Sequence, residues 1–208
     1  MVCTYAGQMI MGGCLQIQLA PWKRVALTRA FTIALARLRG NTVSGVTIDW
    51  SKCYDHLPLT VLRDLATAAG IPECLAGPML AAYAHGRRIV ADGQCGEERV
   101  PFAGLPPGCP AATHWLALLM HSWACAIKEA VHDADHREYV DDLTGYRAHT
   151  SPATAIAPVQ AMIATCAALA RSARLVLNYV KSRCFSTCKA VRDRLQAAAL
   201  PCTDRFND

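Results

Sequence analysis

Apolar positions Val25, Leu27, Phe31, Ile33, Leu35 and Leu38 fall among Lys23, Arg24, Arg29, Arg37 and Arg39 at broadly helical spacing, and Gly40-Asn41 ends the helix they predict. The period then changes. Residues 44–50 are short, β-branched and bounded by turn formers, so they predict a strand with Asp49 near its exit and a polar bend at Ser51-Lys52. Residues 58–69 and 73–85 return to helix, broken by Gly70-Ile71-Pro72 and stopped at Gly86. Residues 87–91 and 94–102 flank Asp92-Gly93, a pair that predicts a hairpin. A long apolar helix follows over 111–131, then strands at 137–140 and 143–147 that turn at Asp141-Asp142. Residues 152–171 read as an Ala-rich helix, 175–177 as a strand and 190–199 as a closing helix.

With the hairpin and long helix set aside, the order is strand, helix, strand, strand, helix, strand. That is the ferredoxin-like split βαβ arrangement of an α+β fold. In it the first strand neighbours the central hairpin, so Asp49 and the Asp141-Asp142 tip are expected at one end of a single sheet.

Composition narrows the field only a little. A chain of 208 residues, 53% hydrophobic, can bury one core of ordinary size. The 21 basic against 16 acidic residues give +5, a balance that suits a polyanionic partner without specifying one. Eleven cysteines are an odd count in a chain with no signal peptide, which points to reduced, intracellular thiols rather than a disulfide framework. Cys184-x3-Cys188 and the His132–His136 cluster raise a zinc site, but no C-x2-C pair accompanies them. The apolar run at 115–127 is interrupted by His121 and Ser122 and falls short of the ~20 residues of a membrane span, so no membrane partner is expected. Residues 1–20 are apolar with no basic region ahead of them and read as the interior of a longer protein.

Four segments carry a resemblance. Asp49-Trp50-Ser51-Lys52-Cys53-Tyr54-Asp55 resembles the first catalytic motif of reverse transcriptases, and Tyr139-Val140-Asp141-Asp142 their Tyr-x-Asp-Asp motif. Gly104-Leu105-Pro106-Pro107-Gly108-Cys109-Pro110 is similar to the loop that opens the template-contacting helix, in the Gly-Cys-Pro form of non-LTR retrotransposons. Leu175-Val176-Leu177-Asn178-Tyr179-Val180-Lys181-Ser182 is similar to the Leu-x-Leu-Asn-x-x-Lys segment of the same group. The four occur in the family's order over about residues 43–190.

The resemblance implies a polymerase palm with helical and hairpin fingers-type insertions. Residues 1–42 would be an N-terminal helical segment with partial fingers. Residues 43–208 would be the palm core, including the 87–131 hairpin and helix, with the thumb absent. It implies an RNA-directed DNA polymerase acting on an RNA template, a DNA primer and deoxynucleoside triphosphates. Such chemistry uses two Mg²⁺, or Mn²⁺ in their place, about 3.5–4 Å apart and held by carboxylate oxygens. Asp49 and Asp141 would bridge them, with Asp142 at the rim. Tyr54 would be the wall against a 2′-hydroxyl, and Lys181 the donor of a proton to the departing pyrophosphate. Pro107, Gly108 and Asn178 would lie along the template and incoming nucleotide, while Arg87 and Arg88 would contact phosphates. Asp55 is read as a cap on the following helix.

The chain departs from the family's pattern at Pro107, usually glutamine, at Ala112-Thr113, often Ser-Pro, and at Arg174, usually glycine. Two other readings stand beside the first. One is an RNA-dependent RNA polymerase palm, which Tyr54 opposes. The other is a decayed fragment that only binds nucleic acid, which Pro107 and the missing grips favour.

Overall fold

In a computed structural model, residues 21–106, 108–139 and 142–197 are described. Helix α1 (Pro21–Leu38) leads into strand β1 (Thr42–Ile48), followed by a single-turn helix α2 (Cys53–His56), α3 (Leu59–Ala68) and α4 (Glu73–Tyr83). A minimal hairpin, β2 (Val90–Ala91) and β3 (Gln94–Cys95), precedes the long helix α5 (Ala112–Ala130). Strands β4 (Asp135–Tyr139) and β5 (Asp142–His149), helix α6 (Ile156–Ala173), strand β6 (Arg183–Ser186) and helix α7 (Lys189–Ala197) complete the chain. The sequence readings at 1–20, at 198–208 and at Pro107, Val140 and Asp141 lie outside the described residues.

The four long strands form one sheet in the order β4-β5-β1-β6, every neighbouring pair antiparallel. This is the expected split βαβ topology, with β1 and β5 central. Alternation along β1 sorts its two faces. Val46 and Ile48 enter the main core with Trp123, Ile127 and Met162 of α5 and α6, whereas Val43 joins Tyr146 and Phe185 under Ile33 and Ala36 of α1. Thus α5 and α6 cover one face. Helix α1 packs on the Val43 end of the other.

The fourth strand is not where its sequence suggested. Residues 175–177 make a single bridge, Trp50 to Leu177, and the strand itself is Arg183–Ser186. Leu175 is instead spent on the end of α6: Leu175 N–H donates to Ala170 O and Arg174 N–H to Arg171 O, the paired bonds of a Schellman cap. Asp55 does not cap α3, because it lies inside α2, and α3 opens at Pro58 with no side-chain cap. The hairpin is also shorter than expected, with Asp92 at φ 51 and Gly93 at φ 74 forming its turn. Among the described residues one helical region, Pro152–Ala173, is long and apolar enough to cross a membrane by length and composition, which the sequence pattern assigned to no segment. In this fold its Val159, Met162 and Cys166 are buried in the main core.

Glycine matters most where β1 meets β5. A Cβ on Gly45 would overlap the Gly145 carbonyl oxygen and come within 2.8 Å of Tyr146 Cα, both fixed by the sheet. On Gly145 it would meet Met162 Sδ at 3.5 Å, Ile127 Cγ2 at 3.7 Å and Trp123 Cη2 at 3.8 Å, all ordinary contacts. Gly45→Ala is therefore expected to lower stability by about 3 kcal/mol or more in urea denaturation, and Gly145→Ala by less than ~1 kcal/mol. Equal losses would contradict this packing.

Candidate active site

The last pair between β1 and β5 is Ile48 with Leu143, so the next residue along each strand is an aspartate: Asp49 on one, Asp142 on the other. Ile48, Trp50 and Leu143 all point into the main core, which turns Asp49 and Asp142 to the opposite face. Among the described residues no helix covers that face at this end, since α1 sits over the other. Asp142 is exposed and pairs with Tyr139. Val140 and Asp141 lie outside the described residues.

The segment after α6 wraps the exit of β1. Ser51 N–H donates to Val176 O at 2.8 Å and Asn178 N–H to Asp49 O at 2.9 Å, while Asp49 N–H donates to Ser182 Oγ at 3.1 Å. The Asn178 side chain donates from Nδ2 to Asp49 Oδ2 at 2.8 Å and accepts from Lys181 N–H at 3.3 Å. The Lys181 ammonium stands 3.8 Å from Asp49 Oδ1, with the lysine side chain 69% exposed and the aspartate 19%. Asp49 is thus held through its amide, its carbonyl and both carboxylate oxygens. A carboxylate fixed on one side and open on the other can take a cation with little rearrangement. The fold therefore gathers Asp49, Asp142, Asn178 and Lys181.

The glycine-bounded loop meets the same region through α2. Leu105 N–H donates to Tyr54 O at 2.7 Å and Gly104 N–H to Leu57 O at 2.9 Å. Gly104 has φ 95, and a Cβ there would stand 2.9 Å from Asp55 O, so both conformation and space require glycine. Tyr54 is half-buried against the main core. Gly108, at φ 78, has open space where a Cβ would be.

The hairpin arginines have local partners instead of open faces. Arg88 pairs with Glu98 at 3.2 Å, and Arg87 donates to Tyr83 O at 2.9 Å. A contact the sequence did not signal joins α4 to the start of α5: Tyr83 Oη lies 3.0 Å from Cys109 Sγ. Burial, followed by the neighbouring thiol, pushes Tyr83 up to about 12, so its hydroxyl stays protonated and able to donate. That hydrogen bond, then the Ala111 amide, holds the Cys109 thiol below its ordinary value.

Among the described residues no three His, Cys, Asp or Glu side chains are arranged to hold a metal. Asp49 and Asp142 supply two hard carboxylate donors side by side, a set suited to a divalent cation such as Mg²⁺.

A four-stranded split βαβ sheet with paired aspartates at the exit of its central strands defines a reverse-transcriptase-like palm domain. The chain belongs to the reverse transcriptase (RNA-dependent DNA polymerase) family, whose profile matches residues 16–195. Its fold is similar to that of apo telomerase from Candida tropicalis truncated from its C-terminal domain, with a TM-score of 0.55 and 12% identity over 80% of this chain and 35% of that one. It is also similar to the Candida tropicalis telomerase in complex with a TWJ fragment of telomeric RNA, with a TM-score of 0.58 and 11% identity over 82% of this chain and 30% of that one. The chain thus spans about a third of the length of each. Among curated proteins none matches in sequence.

Alkylation of Cys109, followed on its own peptide by mass spectrometry, is expected to begin at a lower pH than for an ordinary thiol. Tyr83→Phe removes the donor and should move that profile upward; an unmoved profile would show that the contact does not tune the thiol.

Proposed function

We propose that this chain is the catalytic palm of an RNA-directed DNA polymerase, of non-LTR retrotransposon type by its Gly-Cys-Pro and Leu-x-Leu-Asn segments, which joins deoxynucleotides to a primer on an RNA template. The observation that carries the reading is the β1–β5 register, which sets Asp49 beside Asp142 on the uncovered face. Asp49, Asp141 and Asp142 are the residues that would hold two Mg²⁺, or Mn²⁺ in their place. Bound there, the cations supply charge neutralisation at the reacting phosphate and activation of the attacking 3′-hydroxyl.

The protein's own groups do the rest. Asn178 orients the Asp49 carboxylate through its 2.8 Å bond, so the ligand is fixed before the cation arrives. Lys181, on the same bend and largely exposed, presents an ammonium that can give a proton to the leaving pyrophosphate. Tyr54, five residues beyond Asp49 on α2, forms the wall that a 2′-hydroxyl would strike. Gly108 leaves room for a template backbone to pass closely, with Pro107 beside it. Arg87 and Arg88 reach phosphates only by exchanging their present partners.

One feature favours a second reading, in which the chain binds nucleic acid without extending it. Pro107 replaces the glutamine usual in this loop, and proline has neither that amide side chain nor a backbone donor.

Primer extension on an RNA template with Mg²⁺ separates the two. Asp49→Asn and Asp141→Ala are each expected to lower incorporation by ~10²-fold or more, and Asn178→Ala by about tenfold. Undiminished incorporation by Asp141→Ala would remove the two-cation assignment. Salt-sensitive binding with no extension by the native chain would favour the second reading. In the same assay Tyr54→Val should cut selectivity against ribonucleotides by about tenfold or more. A native chain that already uses both sugars equally would instead indicate an RNA polymerase.

A further inference from the structure

Between Asp142 and Asp193 the chain runs through residues 143–192 without one aspartate or glutamate, while carrying seven lysines and arginines. Within this stretch the end of α6 and the bend behind it flank a shallow, open pocket of about 360 Å³. Ala167, Ala170 and Arg171 line it from the helix; Arg174, Val176 and Tyr179 line it from the bend. Neither guanidinium is paired with a carboxylate among the described residues. The Tyr179 side chain is exposed and Val176 half exposed, so the walls combine unneutralised positive charge with accessible aromatic and aliphatic surface.

Arg174 occupies a backbone position that does not favour it. Three helices here end in the same Schellman cap. In α1 and α3 the left-handed residue is Gly40 or Gly70, but in α6 it is Arg174, at φ 53 and ψ 33. A side chain held there carries strain that glycine would relieve, and such strain is retained where the side chain has work to do.

We propose that this cavity is a second nucleic-acid site, taking one nucleotide of a single-stranded segment with its phosphate on Arg171 and Arg174 and its base on Tyr179. Planar guanidinium forks match phosphate oxygens, and an exposed aromatic ring stacks a base of any identity. The volume is at the small end of the ~300–1,000 Å³ range of ligand pockets, enough for one nucleotide and too little for a duplex. An acidic peptide would satisfy the guanidiniums but leave the ring and apolar floor without a planar partner. The pocket shares its bend with Asn178, which holds Asp49, but its lining side chains are distinct from Asp49 and Asp142. It uses none of the side chains assigned to nucleotidyl transfer.

The test is anisotropy titration of a fluorescein-labelled oligouridylate against the native chain and its variants over a range of salt concentrations. Arg171→Gln with Arg174→Gln should weaken binding about tenfold or more and reduce the log–log salt slope by about 0.7, the share of one single-strand phosphate. Tyr179→Ala should weaken binding about tenfold at fixed salt with the slope unchanged, and Tyr179→Phe should restore it. Arg174→Gly should melt at a higher temperature than the native chain yet bind more weakly, which separates loss of the site from loss of folding. Unchanged affinity and slope in the double variant would overturn the proposal, as would displacement by polyglutamate as effective as by unlabelled oligouridylate. Arginine-dependent binding by a chain that extends no primer would leave this site standing and the polymerase reading fallen; normal extension with arginine-independent binding would do the reverse.

Discussion

The antiparallel register of β1 on β5 fixes everything downstream of it. Side chains alternate between the faces of a sheet with a period of two, so a slip of one residue would drive Asp49 and Asp142 into the apolar layer beneath α5 and α6 and expose Ile48, Trp50 and Leu143. Burying an unpaired carboxylate is far costlier than burying an isoleucine is favourable. The pairing is thereby held by both faces at once: apolar residues on one side, carboxylates that need water or cations on the other. Gly45 sharpens the alignment, since a Cβ there would overlap the Gly145 carbonyl and crowd Tyr146 across the strand pair.

The bend between α6 and β6 supplies what the sheet alone does not. A carboxylate at a strand exit would ordinarily sample several rotamers, each equally well hydrated. Here Asn178, Ser182 and Lys181 take up its oxygens and backbone groups, and a short chain of hydrogen bonds replaces that freedom with one orientation. Gly104 and Leu105 perform a similar service for α2, tying Tyr54 to the glycine-bounded loop through main-chain bonds that no change of side chain could imitate.

The periodic segments were legible because their burial follows their sequence pattern: α1, β1, α3 and α5 fall within a few residues of where hydrophobic spacing puts them. The strand at 175–177 was not, because Leu-Val-Leu has strong β character whichever neighbour it meets. What decides the matter is that Leu175 closes the α6 cap while only Leu177 reaches Trp50. β6, with Arg183, Cys184, Phe185 and Ser186, carries little local β signal and becomes a strand by docking on β1. Asp55 was misplaced for a similar reason: Lys52, at φ 47, starts a helical turn earlier than capping rules suggest. The motif residues Asp49 and Lys181 were legible as candidates, whereas the Asn178–Asp49 bond joins residues far apart in sequence and has no local signature. Tyr83 and Cys109 were invisible for the same cause.

The sheet's order leaves β4 and β6 on its outer margins. An unprotected margin invites a strand from another molecule to add itself, the first step toward fibrils. β4 answers with Asp135, His136, Arg137 and Glu138 in succession, and β6 is only four residues long with Arg183 at its head. Sheet-to-sheet growth from either margin would have to desolvate those charges or stop after a few bonds, so this small domain can present the carboxylate face of its sheet without polymerising itself.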